Sequence, residues 1–122
     1  IGYPKCGTGK FWSFLAGAVN ARSADAHALI CLADANANLR STKVADVIHR
    51  ISFLEFLQAT GLCEATGAAF SSRMVTYTSV TCPDGVQNDY IAVSGGLSAR
   101  CESARTREDF TSMASGEDHI LI

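Results

Sequence analysis

The sequence lacks the features that identify a membrane-spanning or nucleic-acid-binding protein. No apolar run approaches the ~20 residues needed to cross a bilayer, because the longest one, residues 44–57, is interrupted by Asp46, His49, Arg50 and Glu55. Ten Lys and Arg residues against 12 Asp and Glu residues give a net charge of −2, without a basic run. The short apolar runs predict no membrane span. Proteins that bind nucleic acids or anionic membrane surfaces carry basic patches, so the absence of a basic run predicts no nucleic-acid partner.

The five cysteines also lack the close pairs that structural zinc sites use, so we predict no metal and no other cofactor. They are spread almost evenly, at Cys6, Cys31, Cys63, Cys82 and Cys101. This spread is typical of disulfides between distant elements, and the candidates are Cys6, Cys31, Cys82 and Cys101, with their pairing left open. The odd number leaves one thiol free, or available to link two copies of the chain.

The cysteines and the start of the chain favour a secreted protein. Disulfides persist in oxidising compartments, and the sequence starts at Ile1 rather than at a methionine, as a processed protein does. The alternative is a cytosolic protein whose thiols are buried as small apolar groups. With 122 residues, 48% of them apolar, the chain predicts a single domain, residues 1–122, with one core.

Two amphipathic helices are predicted in the first half of the chain. Residues 10–22 repeat apolar side chains at four-residue spacing. Residues 42–60 have the stronger pattern, and Gly61 follows as a stop signal. Residues at i, i+3, i+4 and i+7 spacing form an apolar face on this second helix, namely Val44, Val47, Ile48, Ile51 and Leu54. Phe53, Phe56 and Leu57 widen that face, so we expect the helix to be buried on more than one side.

The second half is richer in β-branched and aromatic residues, which favour strands. Strands are expected at residues 27–33, 73–82, 89–96, 97–101 and 119–122. Residues 83–85, Pro-Asp-Gly, predict the turn between 73–82 and 89–96, whereas 102–118 are expected to be a long loop or to contain one short helix. The predicted class is α+β: two amphipathic helices packed on a small antiparallel sheet formed mainly by the second half and stapled by disulfides.

The stretch YPKCGT, residues 3–8, resembles the phosphosulfate-binding loop of sulfotransferases, in which a strand runs into P-K-x-G-T and then a helix. The resemblance implies a donor phosphate held by Lys5, Thr8 and the first amides of the helix. That family has a second Ser or Thr where this chain has Gly9. Its fold also needs several βαβ units, which the second half does not supply, so we set this function aside.

The same stretch, as Y-x-x-C-G followed by a phenylalanine and the alanine-rich LAGAVNA, resembles the start of small secreted fungal ribonucleases and ribonuclease-like effectors of cereal mildews. The resemblance implies a cysteine that ties the N-terminus to a late strand, here Cys6 with Cys101. Those ribonucleases carry catalytic His and Glu on strands where this chain has its second predicted helix. The likeness therefore covers only about the first twenty residues.

A ribonuclease needs a base, an acid and a cation at the phosphate. The candidates are His119, Arg100, Arg105 and Arg107. Asp118-His119 resembles the late catalytic histidine of bacterial secreted ribonucleases, but no glutamate centred in a strand is available as the base. The competing interpretation of ESARTRED, residues 102–109, is a solvated loop whose ion pairs each stabilise the fold by under ~1 kcal/mol.

The leading hypothesis is a small secreted binding protein, toxin-like or effector-like, without catalytic activity. Its expected partner is an unidentified protein or glycan on a target cell. Because exposed loops usually carry recognition, the expected binding residues are Glu102, Arg105, Arg107 and Asp109. The alternatives are a secreted ribonuclease that cleaves RNA by acid/base transphosphorylation, and a structural subunit cross-linked through the unpaired cysteine.

Overall fold

A computed structural model describes residues 7–23, 28–65, 74–104, 107–111 and 117–121, the last two segments through their backbone. Two helices, α1 (Thr8–Ser23) and α2 (Val47–Thr60), and a one-turn helix, α3 (Gly95–Ser98), lie in these ranges. The strands are β1 (Ile30–Asp34), β2 (Leu62–Glu64), β3 (Tyr77–Ser79), β4 (Cys82–Val86), β5 (Asp89–Ser94), β6 (Arg107–Thr111) and β7 (Glu117–Leu121).

The described strands form two antiparallel sheets. One has the order β1-β5-β2 and the other has the order β4-β3-β7-β6. The α+β class is therefore confirmed, although the first sheet takes β1 from the first half of the chain and only β2 and β5 from the second. Every pairing between described strands is antiparallel, so this part of the chain contains no parallel sheet of the sulfotransferase kind.

An aromatic cluster holds the two long helices against the first sheet. The ring of Trp12 on α1 lies 5.0 Å from that of Phe53 and 4.9 Å from that of Phe56, both on α2. Phe53 in turn lies 5.0 Å from the ring of Tyr90 on β5. Such aromatic contacts stabilise a fold by about 0.5–1.5 kcal/mol each beyond the area they bury. The core also contains Ala16, Ala35, Ala37, Leu57, Leu62 and Ala92.

The orientation of α2 differs in part from the prediction. The helix buries Phe53, Phe56 and Leu57, as expected, together with Ser52. Four other side chains expected to face the core are exposed: Val44 is 87% exposed, Ile48 67%, Ile51 45% and Leu54 46%. The prediction was wrong for these four, because only the side of α2 with the two phenylalanines meets both Trp12 and Tyr90.

Tyr90 ties the loop after β1 to the core. Its hydroxyl lies 2.7 Å from the carbonyl oxygen of Ala37 and 2.9 Å from that of Gln87, and it can donate to either one. It also accepts the N–H of Leu39 at 3.1 Å. Burial raises the pKa of Tyr90 to about 12, although the Leu39 bond lowers it slightly. The phenol is therefore a fixed structural group and not an acid that titrates near neutral pH.

The Pro-Asp-Gly segment forms a bulge and not the expected turn. The chain reverses at Val80 and Thr81, with Ser79 opposite Cys82 and Tyr77 opposite Val86. One residue of β3 therefore faces three of β4. Gly85 has φ +70°, and a Cβ there would lie 2.2 Å from Cγ1 of Val75. The residues that favour turns also favour bulges, because both need left-handed backbone and little side-chain volume.

Three further expectations for the second half were wrong. β5 does not return along residues 73–82, since it pairs with β1 and β2. Residues 97–101 are not a strand, because α3 and a turn occupy them, and the expected loop 102–118 contains β6.

The two sheets are joined through Thr76, whose fully buried Oγ1 accepts the N–H groups of Asn88 and Asp89, both at 3.0 Å.

Candidate interaction surface

The residues predicted to bind or catalyse lie in two places. Arg100 and Glu102 are exposed in the segment after α3. Arg107 and Asp109 lie on β6, and His119 lies on β7. Arg105 falls outside the described residues. The expected recognition loop is therefore partly a strand.

The second sheet places the strand of His119 between two others. β7 lies between β3 and β6, with His119 opposite Tyr77 and Leu121 opposite Arg107. Arg100 and Glu102 belong to no strand of this sheet. The backbone thus brings together part of the predicted ribonuclease set, and leaves Arg100 outside the sheet.

The cysteine predictions receive no support from the described residues. Cys31, Cys63, Cys82 and Cys101 are all free thiols, and Cys6 lies outside these ranges. The register separates Cys31 from Cys63, because Cys31 is opposite Ala92 and Cys63 is opposite Val93 on the other side of β5. The two thiols are therefore on opposite faces and two strands apart, roughly 9–10 Å at normal strand spacing, beyond disulfide reach. Cys63 was not among the disulfide candidates, and the disulfides predicted among Cys6, Cys31, Cys82 and Cys101 stay predictions.

The outer stripe of α2, defined as Val44, Ile48, Ile51 and Leu54, is an exposed apolar surface that begins on the 3₁₀ turn before the helix. Positions three and four apart lie on the same face of a helix, so the four side chains form a continuous strip from the 3₁₀ turn Val44–Asp46 to the third turn of α2. The strip points away from the aromatic cluster. Val44 and Ile48 are mostly exposed, and Ile51 and Leu54 are about half exposed.

A hydrogen-bonded support fixes the start of this helix. The hydroxyl of Ser41 donates to the carboxylate of Asp46 and accepts the N–H of Lys43 at 3.1 Å. The guanidinium of Arg50 donates to the carbonyl oxygen of Ser41. At the other end, Gly61 closes the helix with left-handed backbone at φ +66°. The outer stripe therefore lies on a helix that is held at both ends.

Charged side chains lie at one margin of the stripe and toward its C-terminal end. Arg50 is four residues before Leu54 and so lies beside it, along one margin. Glu55 is four residues after Ile51 and seven after Ile48, so it lies on the same face of the helix beyond Ile51, and it is exposed. The stripe thus has a positive margin and a negative charge toward its C-terminal end, which can orient a partner as well as bind it.

Sequence reasoning found these residues and the width of the apolar arc, but assigned both sides of the helix to the core. A helix that is apolar on two sides needs two partners, and the second partner can be another protein as well as the core. A comparison with protein-family models finds no match, and a comparison with curated proteins finds no relative. In the described ranges, no helix is long and apolar enough to cross a membrane, and no group of three His, Cys, Asp or Glu side chains is placed to hold a metal.

Proposed function

We propose that this chain is a binding protein without catalytic activity, and that it docks onto another protein through the outer stripe of α2. The observation that carries the proposal is the exposure of four large aliphatic side chains along one side of α2 and of the 3₁₀ turn that precedes it. Single exposed aliphatic residues are common, but a contiguous apolar patch with polar margins marks an interaction site.

The partner that fits this stripe is an amphipathic helix of another protein. A straight row of aliphatic side chains at i, i+4 and i+7 packs against a second row of the same kind, as in helix pairs. The charges at Arg50 and Glu55 favour a partner with an acidic residue opposite the Arg50 margin and a basic residue opposite the C-terminal end of the stripe. This proposal moves the binding surface from residues 102–109 to α2.

The test is a selection from a displayed library of helical peptides. We expect enriched peptides to carry apolar residues at i, i+3, i+4 and i+7 and to lose binding to the Ile48→Asp/Ile51→Asp variant. Val80→Asp is the matched control, because Val80 is an exposed aliphatic residue in the β3–β4 turn. Failure to select helical peptides, or peptides that bind both variants equally, would contradict the proposal.

Sedimentation of the free protein separates this partner from a second copy of the chain. The proposal expects a monomer at micromolar concentration. If the protein dimerises and the Ile48→Asp/Ile51→Asp variant does not, the partner of the outer stripe is a second copy of this chain. That result would overturn the proposal of a helix from another protein. The same run without reductant tests the alternative of a structural subunit, since a dimer linked through a cysteine would disappear on reduction.

Secretion and disulfide stapling belong to the same proposal, and they are supported by the number and spacing of the cysteines alone. Intact mass before and after reduction and alkylation counts the bridges. Two bridges with one free thiol are expected. Five free thiols in the native protein would contradict both stapling and the case for secretion.

A second candidate function, RNA cleavage, is favoured by one observation. β7 carries His119 between β3, which presents Tyr77, and β6, which contains Arg107 and Asp109. Neighbouring strands therefore carry a histidine and an arginine, and acid/base cleavage of a phosphodiester needs both residue types. Incubation with RNA should yield 2′,3′-cyclic phosphate ends if this function is correct, and His119→Ala should abolish them.

A further inference from the structure

β1 lies at one edge of the first sheet, and no strand among the described residues pairs with its outer side. Ser94 donates its N–H to the carbonyl of Leu29 at 3.0 Å, and Ala35 donates its N–H to the carbonyl of Asn88 at 2.8 Å. Antiparallel ladders alternate, so the odd-numbered residues 29–35 bond toward β5. The N–H and C=O groups of Ile30 and Leu32 consequently point away from β5, where none of the strands in the described ranges pairs with them.

The exposed edge carries few of the features that block strand addition. Natural edge strands are usually protected by lysine, proline, a bulge or a covering element. β1 has the sequence ICLAD, which contains no lysine or proline, and its register with β5 is regular. Ile30 is 66% exposed and Leu32 is 74% exposed. An extended segment can therefore pair with this edge and cover both side chains.

A cleft of about 300 Å³ opens beside the N-terminal end of β1, between that strand, α1 and the start of β2. Its walls are almost wholly apolar and include Val19, Leu29, Ile30, Cys31 and Leu62. Pockets for whole small molecules occupy roughly 300–1,000 Å³. This cleft is at the lower limit of that range, which suits one large apolar side chain better than a cofactor.

Arg22 is the charged residue of the cleft. It lies in the last turn of α1, exposed, one turn after Ala18, which also lines the wall. Within the described residues, its guanidinium makes no hydrogen bond or ion pair. A cation at the rim of an apolar cleft favours a ligand that ends in a carboxylate, with which a guanidinium forms paired, charge-assisted hydrogen bonds.

We propose that β1 and this cleft form a peptide-binding groove. An extended peptide adds to β1 as an antiparallel strand, inserts an apolar side chain into the cleft and places a carboxylate on Arg22. The direction follows from the position of the cleft at the start of β1, because an antiparallel strand ends there and a parallel strand begins there. A parallel peptide would bring its α-amino group to Arg22, where like charges repel. The groove shares no residue with the outer stripe of α2.

The probe is acetyl-Thr-Val-Thr-Val-Leu with a free carboxyl terminus, titrated into ¹⁵N-labelled protein and followed by NMR. We expect the largest amide shifts at Ile30 and Leu32. The C-terminal amide of the same peptide should bind about tenfold more weakly, since it loses the charge-assisted bonds to Arg22. An acidic side chain in place of the free terminus, in acetyl-Thr-Val-Thr-Leu-Glu-amide, distinguishes an internal acidic motif from a chain end.

Two controls make the result specific. Arg22→Gln should weaken binding of the free acid by about tenfold and leave binding of the amide unchanged, whereas Arg40→Gln, at another exposed arginine, should change neither. Methylation of the peptide nitrogens that point toward β1 should abolish binding, because it removes the hydrogen bonds of strand pairing. Methylation of the alternate nitrogens, which point away from β1, should leave binding intact. Absence of binding at millimolar peptide, shifts outside β1 and the cleft, or equal binding of acid and amide would overturn the proposal.

Discussion

The two sides of α2 are both apolar and have opposite roles. The inner side places Phe53 and Phe56 against Trp12, and Phe53 alone against Tyr90. The outer side presents aliphatic residues to solvent, among them Ile48 and Ile51. The difference teaches that hydrophobicity does not by itself select the buried face of a helix. The buried face is the one whose side chains pack best against the neighbouring elements. In α2 it is the face with Phe53 and Phe56, which contact the aromatic rings of Trp12 and Tyr90.

The energetic contrast between the two sides should be large, because a buried side chain loses both transfer free energy and packing when it is removed, whereas an exposed one loses neither. It also bears on function. An apolar surface that does not stabilise the fold is a liability for solubility unless a partner covers it. The expected changes in the free energy of unfolding are largest for substitutions in the aromatic cluster and smallest for substitutions on the exposed side of α2.

The largest effect is expected at Phe53, which is fully buried. Phe53→Ala should lower the free energy of unfolding by about 3–5 kcal/mol, because it empties the centre of the aromatic cluster. Urea unfolding followed by Trp12 fluorescence measures this change. A loss below about 1 kcal/mol would mean that the cluster is not the core, since that is the size of a surface substitution.

An intermediate effect is expected at Tyr90 in alkaline solution. Its pKa is raised to about 12 by burial, whereas a tyrosine in the unfolded chain titrates near 10. The raised folded value means that the stabilisation is complete below pH 10 and is lost as the pH rises toward 12. The free energy of unfolding should fall by about 2–3 kcal/mol over that range.

Tyr90→Phe is the control for this pH dependence. The variant should lose the Tyr90 component of the alkaline fall, and at neutral pH it should be less stable by about 1–3 kcal/mol, because the buried N–H of Leu39 loses its acceptor. An unchanged alkaline profile in the variant would show that other groups cause the fall.

The smallest effect is expected on the outer side. Ile48→Ala should change the free energy of unfolding by less than about 0.5 kcal/mol, because the side chain is mostly in water and alanine favours helix. The same urea experiment measures it. A cost of 2 kcal/mol or more, the size of a core aliphatic deletion, would place Ile48 in a packed interface and remove the contrast between the two sides of α2.

Local patterns predicted the helices well and the sheets poorly. α1 and α2 were found by spacing, and Gly61 marked the end of α2, because these signals act within a few residues. Which strands pair could not be found that way. β5 pairs with β1 across about 60 residues of sequence, and such contacts depend on the whole fold.

Two local errors show where sequence patterns are ambiguous. The Pro-Asp-Gly segment is equally suited to a turn and to the bulge that Gly85 forms in β4. Ile48 and Ile51 are equally suited to a core and to an interface, since both remove apolar surface from water. The aromatic partners that decided the outcome, Trp12 and Tyr90, lie 41 and 37 residues from Phe53 in the chain.

The central claim, that α2 buries its aromatic side and exposes its aliphatic side, is tested most directly by solvent paramagnetic relaxation. The protein is labelled with ¹³C in the δ1-methyl groups of isoleucine, and a soluble gadolinium chelate is added at low protein concentration. We expect strong broadening of the methyl signals of Ile48 and Ile51, and protection of ring protons of Phe53. Protected isoleucine methyls with broadened Phe53 protons would contradict the account.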